Sequence, residues 1–258
     1  MNASLPLSKV PAITLGFWII KILATTLGET GGDTVSMTMK LGYLTGSAIF
    51  LSALVVLVVL QITVNTFRPL LYWATIVAST TAGTTMADLA DRSLGIGYAG
   101  GSTLLAGCVV LALGAWYWSQ RSVSVSTVNT PKVEAFYWTT ITFSQTLGTA
   151  LGDWMADDTG LGYLGAAAVF GAALALVASA YFRTRVSHVL LFWLAFVLTR
   201  PLGATVGDFL DKPHDHGGLA LSRPVASAVI AVFLVVCILA FPQRAGAQTG
   251  NGARGTDA

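Results

Sequence analysis

Charged side chains are scarce in this sequence: Lys, Arg, Asp and Glu together make up 10% of its 258 residues. Soluble proteins typically carry about 25%. Between Leu41 and Val64 no charged residue occurs at all, and about 20 apolar residues in a helix suffice to cross the hydrocarbon core of a bilayer. The composition excludes an ordinary soluble domain and predicts an integral membrane protein, with no feature that points to a nucleic-acid partner.

The sequence also lacks the motifs of familiar catalytic sites. Its two cysteines, Cys108 and Cys237, stand alone in apolar stretches, without the paired spacing of redox or metal motifs. No phosphate-binding loop, Ser/His/Asp arrangement or zinc-protease helix is recognisable. His214 and His216 flank Asp215 in a Pro/Gly-rich loop, where we do not expect a metal site. We therefore expect neither an enzyme nor a cofactor.

What the sequence does contain is a repeat of four units. Each unit has a Trp, a Gly ten residues later, a second small residue four positions on, and an Asp directly after it. Nine and ten residues beyond the Asp, three units read Gly-Tyr and the fourth reads Gly-Gly. The repeated residues are Trp18, Trp73, Trp138 and Trp193, and Asp33, Asp88, Asp153 and Asp208. Agreement at this many offsets excludes chance and predicts a repeat architecture.

Each unit contains one apolar stretch before its Asp and another after its Gly-Tyr. These stretches predict helices near residues 12–31, 42–64, 71–88, 96–118, 135–153, 162–182, 188–208 and 221–241. The predicted fold class is an all-α integral membrane protein with eight transmembrane helices. They come from four parallel two-helix repeats, pseudo-symmetric about the membrane normal. We place repeats one and two at 1–120, a cytoplasmic linker at 121–134, repeats three and four at 135–242, and a disordered polar tail at 243–258.

The distribution of basic residues predicts the orientation. The loops on the side of the two termini hold Lys9, Arg68, Arg121, Lys132, Arg183, Arg185, Arg244 and Arg254, and the opposite side holds Lys40, Arg92, Lys212 and Arg223. Because basic loops favour the cytoplasmic side, both termini are expected to be cytoplasmic in a bacterial inner membrane. The four repeat Trp residues then lie near the cytoplasmic interface, where we expect an aromatic belt.

The four-unit pattern resembles the bacterial membrane-anchored proteins built from a repeat of unknown function. The resemblance runs from about Lys9 to Phe241 and is clearest in "LFWLAFVLTRPLGATVGD" and "FYWTTITFSQTLGTALGD". It implies the repeat architecture and no particular activity. A shorter stretch, "GETGGDT" from Gly28 to Thr34, resembles the Glu-x-Gly-Asp-basic-hydroxyl motif of calcium/manganese cation transporters. Here the Glu–Asp gap is one residue longer and the basic residue is absent, and the resemblance implies metal ligands at Glu29 and Asp33.

The Gly-x-x-x-small spacing puts two small residues on one helix face, so helices can approach closely there. The packing residues are expected to be Gly28, Gly32, Gly83, Gly148, Gly152, Gly203 and Gly207. Because this face occurs only on the odd-numbered helices, we expect them at the centre of the bundle. The four Asp residues would then form a ring at one depth, a candidate cation site together with Glu29. Alternatively, each Asp only caps the turn that follows it.

Polar residues that occur in one unit alone are not explained by duplication. Lys21 and Arg200 are such residues and are candidate counter-charges. Arg200 lies so far along its helix that we expect it to face the bundle interior and to pair with a carboxylate. The other three units carry Thr25, Thr80 and Gln145 at its position, and these are candidate supporting polar groups. Lys21 could instead extend to the lipid headgroups, and the neutral groups could simply hydrogen-bond neighbouring helices.

The sequence thus predicts a secondary transporter or exporter of a small cation, with a divalent metal such as manganese as first candidate, coupled to protons. One alternative is a transporter of a small anion or zwitterion that uses Lys21 and Arg200. Another is a membrane scaffold or sensor that transports nothing. The expected partners are the small ion or molecule and the lipid bilayer, and a homo-oligomer remains open.

Overall fold

The computed structural model describes residues 7–246, and within this range it contains eight long helices and no strand. The helices are α1 (Leu15–Asp33), α2 (Gly42–Thr63), α3 (Pro69–Asp88), α4 (Tyr98–Gln120), α5 (Pro131–Asp153), α6 (Gly162–Arg183), α7 (His188–Asp211) and α8 (Arg223–Ala240). Each lies within about four residues of a helix predicted from the sequence. The linker is shorter than predicted, because α5 begins at Pro131, where the Thr130 hydroxyl accepts a hydrogen bond from the Val133 amide.

Five of the described helices, α2, α4, α6, α7 and α8, are long and apolar enough to cross a membrane. The other three, α1, α3 and α5, carry many Thr and Gly residues together with acidic groups, and these residues are buried inside the bundle. Helices shielded from lipid by other helices need less hydrophobicity than those that face it. The large exposed apolar side chains belong mostly to the outer helices, as in a multi-pass membrane protein.

The four odd-numbered helices form a closed inner ring. Helix α1 packs against α3 and α7, and α5 packs against the same two helices. Each even-numbered helix lies outside this ring, against the inner helix of the following unit: α2 on α3, α4 on α5, α6 on α7, and α8 back on α1. The four units therefore interlock, and α8 closes the ring by joining the last unit to the first.

The repeated glycines lie where neighbouring inner helices touch. A Cβ atom added at Gly83 would lie 2.9 Å from the backbone carbon of Gln145 and 2.9 Å from the amide nitrogen of Thr146. In the same way Gly28 faces Thr80, Gly148 faces Arg200, and Gly203 faces Thr25. The second small position repeats the arrangement: Gly32 faces Thr84, Gly152 faces Ala204, and Gly207 faces Glu29. Because the first repeated glycine has no side chain, each inner helix can pack closely against a polar residue of its neighbour.

At the terminal end the ring is filled by aromatic side chains. Tyr72 and Tyr137 are fully buried, and their hydroxyl oxygens are 2.6 Å apart. The repeat residues Trp73, Trp138 and Trp193 are no more than 4% exposed. These three residues are therefore not exposed as an aromatic belt would be, because they pack against neighbouring aromatic rings inside the bundle.

Segments near the two ends of the chain pair with each other beneath this aromatic cluster. The Ser8 amide donates to the Gly246 carbonyl (3.1 Å), and the Ala12 amide donates to the Arg244 carbonyl (2.8 Å). Lys9 Nζ lies 2.6 Å from Glu134 Oε1. The predicted disordered tail therefore starts too early, since residues 243–246 are hydrogen-bonded, and its remainder, 247–258, lies outside the described residues.

Candidate ion site

All four repeated Asp side chains are buried at the end of the bundle away from the termini. Asp33, Asp88 and Asp153 end α1, α3 and α5, and each helix continues into one π-helical turn, at Thr34–Thr38, Leu89–Ser93 and Trp154–Asp158. None of these three carboxylates makes a capping hydrogen bond. The capping interpretation is therefore wrong for them, because the continuing helix leaves no free amide to cap.

Asp33 and Asp208 share one lysine. Lys212, directly after α7, places its Nζ 3.0 Å from Asp33 Oδ2 and 3.0 Å from Asp208 Oδ1. Burial opposes the charge of Lys212, yet the neighbouring Asp208 and Asp33 carboxylates hold its pKa well above the usual value. Arg223 at the start of α8 lies 3.7 Å from Asp33 and 3.3 Å from Asp211. One pair of repeated carboxylates is thus held by a cation that joins α1 to α7.

The other two repeated carboxylates, Asp88 and Asp153, share an arginine. Arg92 Nε lies 2.8 Å from Asp88 Oδ1, and its Nη2 lies 3.1 Å from Asp153 Oδ2. Burial disfavours the charged guanidinium, but these two carboxylates raise the pKa of Arg92. Arg92 belongs to the π-helical turn after α3 and so joins α3 to α5, as Lys212 joins α1 to α7.

Deeper in the bundle, Arg200 of α7 pairs with Glu29 of α1, as the sequence predicted for a buried arginine. Arg200 Nη2, whose two hydrogens are shared among three acceptors, lies 2.9 Å from Glu29 Oε2, 2.6 Å from Thr84 Oγ1 and 2.6 Å from Thr149 Oγ1. Glu29, Thr84 and Thr149 occupy the same position in units one, two and three. A single guanidinium therefore bonds groups on all three other inner helices.

Three of the carboxylates come together at a spacing close to that of ligands that share one cation. One oxygen from each of Glu29, Asp33 and Asp208 lies within 4.8 Å of the other two, and all three residues are buried. Oxygen ligands of this kind suit hard divalent cations such as manganese, magnesium or calcium. The structure brings Asp33 and Asp208 into this group, whereas Asp88 and Asp153 belong to the Arg92 pair.

The layer next to Arg200, towards the terminal end, contains polar atoms without partners. Lys21 is fully buried, and its Nζ lies 4.2 Å from the centre of the Phe196 ring with no hydrogen-bond partner in the described chain. It does not reach the headgroups, so that alternative is wrong. Thr80 Oγ1 and both amide atoms of Gln145 are likewise unpartnered. The Thr25 hydroxyl, in contrast, lies 2.8 Å from the Ile22 carbonyl and 3.2 Å from the Thr199 carbonyl of α7.

Sequence reasoning missed the cations of this site. Arg92 and Lys212 had been counted only as loop charges, although each stands four residues after a repeated Asp, Asp88 and Asp208. That spacing is the one at which oppositely charged side chains meet on a helix. Units one and three carry Met37 and Asp157 at this position, so the alternation of basic and non-basic units was the available signal.

The repeat boundaries agree with a known family. The model of the Repeat of Unknown Function (DUF347) matches residues 16–66, 71–122, 136–187 and 191–243. Each match covers most of one inner helix, its π-helical turn or the corresponding end of α7, and the outer helix that follows. No curated protein and no solved structure matches the chain significantly. The four matches cover most of the chain, which therefore belongs to the DUF347 repeat family.

Proposed function

We propose that this protein is a secondary transporter that exchanges a divalent cation, with manganese as the first candidate, for protons. It would act in a bacterial inner membrane with eight spanning helices and both termini cytoplasmic, the orientation that the basic loops favour. The buried carboxylate cluster near the end of the bundle away from the termini would bind the ion.

The observation that carries this proposal is the grouping of Glu29, Asp33 and Asp208, whose oxygens lie within 4.8 Å of one another. Two oxygens that bind one ion at about 2.2 Å lie at most about 4.4 Å apart. A small contraction of the cluster would therefore complete the ligand set. Two ligands come from α1 and one from α7, so binding would draw these two helices together.

The charge balance of the cluster supports an exchange of protons for a divalent ion. Five buried carboxylates, Glu29, Asp33, Asp88, Asp153 and Asp208, face three cations, Arg92, Arg200 and Lys212. Arg223 also has Asp211 to balance. The cluster thus has two carboxylates in excess, and a buried carboxylate without a counter-charge is costly. Two protons or one divalent cation would neutralise them equally.

Lys212 could alternate with the metal ion as the cation that occupies the site. Its Nζ lies between Asp33 and Asp208, 3.0 Å from an oxygen of each, so a cation entering this site must displace it. Lys212 follows the last residue of α7 and precedes the loop to α8, from which its long side chain can swing outward. The lysine would then occupy the site when the metal ion has left.

A transporter of a small anion or zwitterion is the second candidate, because Lys21 is buried without a partner. Arg200 fits that function less well, since its Nη2 is already bonded to Glu29. A protein that only forms a scaffold or sensor gives no reason for the excess of buried carboxylates.

Manganese-driven proton movement in proteoliposomes tests the proposal. Asp33→Asn and Asp208→Asn should abolish exchange, because each removes a ligand. Asp153→Asn should be milder, because this residue lies outside the three-carboxylate group. Asp158 is exposed at the same end of the bundle, so Asp158→Asn is the matched control and should exchange normally. Equal, small effects at all four repeated Asp positions would remove the main support for a transporter.

A further inference from the structure

The polar layer beside Arg200 has an excess of hydrogen-bond donors. Lys21, Thr80, Gln145 and Arg200 are all 0% exposed. The atoms without a hydrogen-bond partner in the described residues are Lys21 Nζ, Thr80 Oγ1, both amide atoms of Gln145, and Arg200 Nε and Nη1. An ammonium has three donors, and the guanidinium has five in total. Most of these unused groups are therefore N–H donors, and a ligand for them must accept hydrogen bonds.

These groups lie at neighbouring depths around one axis. Thr80, Gln145 and Arg200 occupy the same repeat position, three residues before the repeated Gly, on three helices of the closed inner ring. Lys21 stands one turn nearer the terminal end, and it contacts Phe196, which is four residues before Arg200 on α7. One helical turn spans about 5.4 Å, so the ammonium and the guanidinium approach the same space from adjacent helices.

The charges in this space do not balance. Glu29 neutralises Arg200 through their 2.9 Å ion pair, so a protonated Lys21 has no counter-charge among the described residues. Beside it, the repeat position of Lys21 is filled by Ile76, Ile141 and Phe196, all 0% exposed. In such surroundings a lysine keeps its proton only with an anion beside it, because an unpaired buried charge is costly. Water could satisfy the hydrogen bonds, but it would not compensate the charge.

We propose that a small monovalent anion, with chloride as the probe, binds between Lys21, Gln145 and Arg200. The ammonium supplies the charge, while the Gln145 amide and the free guanidinium N–H groups supply further donors. Full burial among branched apolar side chains restricts the ligand to a small ion. The site adjoins the carboxylate cluster through the Arg200–Glu29 ion pair, but anion binding there does not depend on the proposed cation transport.

Chloride-dependent stability in a chelator-containing, metal-free buffer tests the proposal. Sodium chloride is compared with sodium gluconate at equal ionic strength, because gluconate is too large for the site. At a chloride concentration about 100 times the dissociation constant, the Tm of the wild-type protein should rise by about 5 °C or more. Lys21→Met should lose this rise, and Gln145→Leu should weaken it. Lys132 is an exposed lysine on α5, so Lys132→Met should keep it.

Two further measurements separate the possible outcomes. Asp33→Asn should retain the chloride response whether or not the protein transports manganese, because that residue lies in the other site. If Lys21→Met does not fold, chloride-35 NMR on the wild-type protein replaces it, and a saturable line broadening that bromide competes away is expected. Equal Tm values in chloride and gluconate, an unchanged response in Lys21→Met, or the absence of saturable broadening would overturn the proposal.

Discussion

Arg200 and Glu29 are 171 positions apart in the chain and form a 2.9 Å ion pair inside the inner helix ring. The same guanidinium nitrogen also bonds Thr84 and Thr149, so one side chain connects α7 to α1, α3 and α5. These interactions give the centre of the bundle its main polar connection. Their loss should therefore affect the whole fold as well as the ion site.

Arg200→Gln should destabilise the protein by about 3–5 kcal/mol, because it leaves the buried carboxylate of Glu29 without its partner. Glu29→Gln should also destabilise it, since the guanidinium then lacks a counter-charge. The double variant should lose less than the two single variants together. Denaturation of the purified variants measures these differences, and strictly additive losses would contradict a direct pairing of the two residues.

Gly83→Ala should weaken the packing of α3 on α5. The added Cβ would meet the backbone of Gln145 and Thr146 at 2.9 Å, and backbone cannot rotate away as a side chain can. A loss of about 1–3 kcal/mol is expected. Gly107 on α4 has nothing within 4 Å of an added Cβ, so Gly107→Ala should be neutral or stabilising by up to about 1 kcal/mol. Thermal unfolding of both variants measures these effects. Equal Tm values would contradict the close packing of α3 on α5 at Gly83.

Asp91 should make stability depend on pH. It lies in the π-helical turn after α3, 7% exposed, with no hydrogen-bond partner among the described residues. Burial raises its pKa to about 6, although the nearby Arg92 lowers it. Because the folded protein binds this proton more tightly than the unfolded chain, stability should fall as pH rises from about 4 to 6.

Asp91→Asn should remove that contribution. Above pH 6 the variant should be more stable than the wild-type protein by about 1–2 kcal/mol, and near pH 4 the two should be equal. Tm measured across this range gives the comparison. A constant difference between the two proteins at every pH would mean that Asp91 does not titrate in the folded state.

The two halves of the chain should not fold independently, even though the family match divides it into equal repeats. Helices α7 and α8 pack on α1, and α5 packs on α3, so each half alone exposes the polar faces of two inner helices. Residues 1–124 or 125–258 expressed alone should be degraded, whereas the two expressed together should associate and remain in the membrane. Pull-down of one tagged half with the other measures this, and a stable single half would contradict the interlocked ring.

The helices and their grouping into four units could be predicted from the sequence because the units are duplicated. The spacing from Trp18 to Asp33 recurs three more times, and the apolar stretches locate the helices. The sequence also predicted that Arg200 would pair with an acid, because an arginine so far along a membrane helix needs a partner. It could not predict which of the four repeated Asp residues pair with which cation. Asp33 and Asp208 meet because α7 packs directly against α1, and that contact is tertiary.

The environment of the Lys21 side chain could not be predicted from the sequence either. Whether a lysine three residues past a Trp reaches the headgroups or turns inward depends on which side chains the neighbouring helix presents. Here that side chain is Phe196, whose ring lies 4.2 Å from the ammonium. The repeated Trp residues are a second example. The sequence predicted the end of the bundle at which they lie, but it could not predict that neighbouring aromatic rings would bury three of them.

Direct titration of manganese into the protein in nanodiscs tests the central claim, that Glu29, Asp33 and Asp208 bind a divalent cation in place of protons. The account predicts one saturable site per chain and a release of protons to the buffer on binding. Binding should disappear in Asp33→Asn and persist in Asp158→Asn. Heat and proton release no greater than those of empty nanodiscs, or unchanged binding in Asp33→Asn, would contradict it.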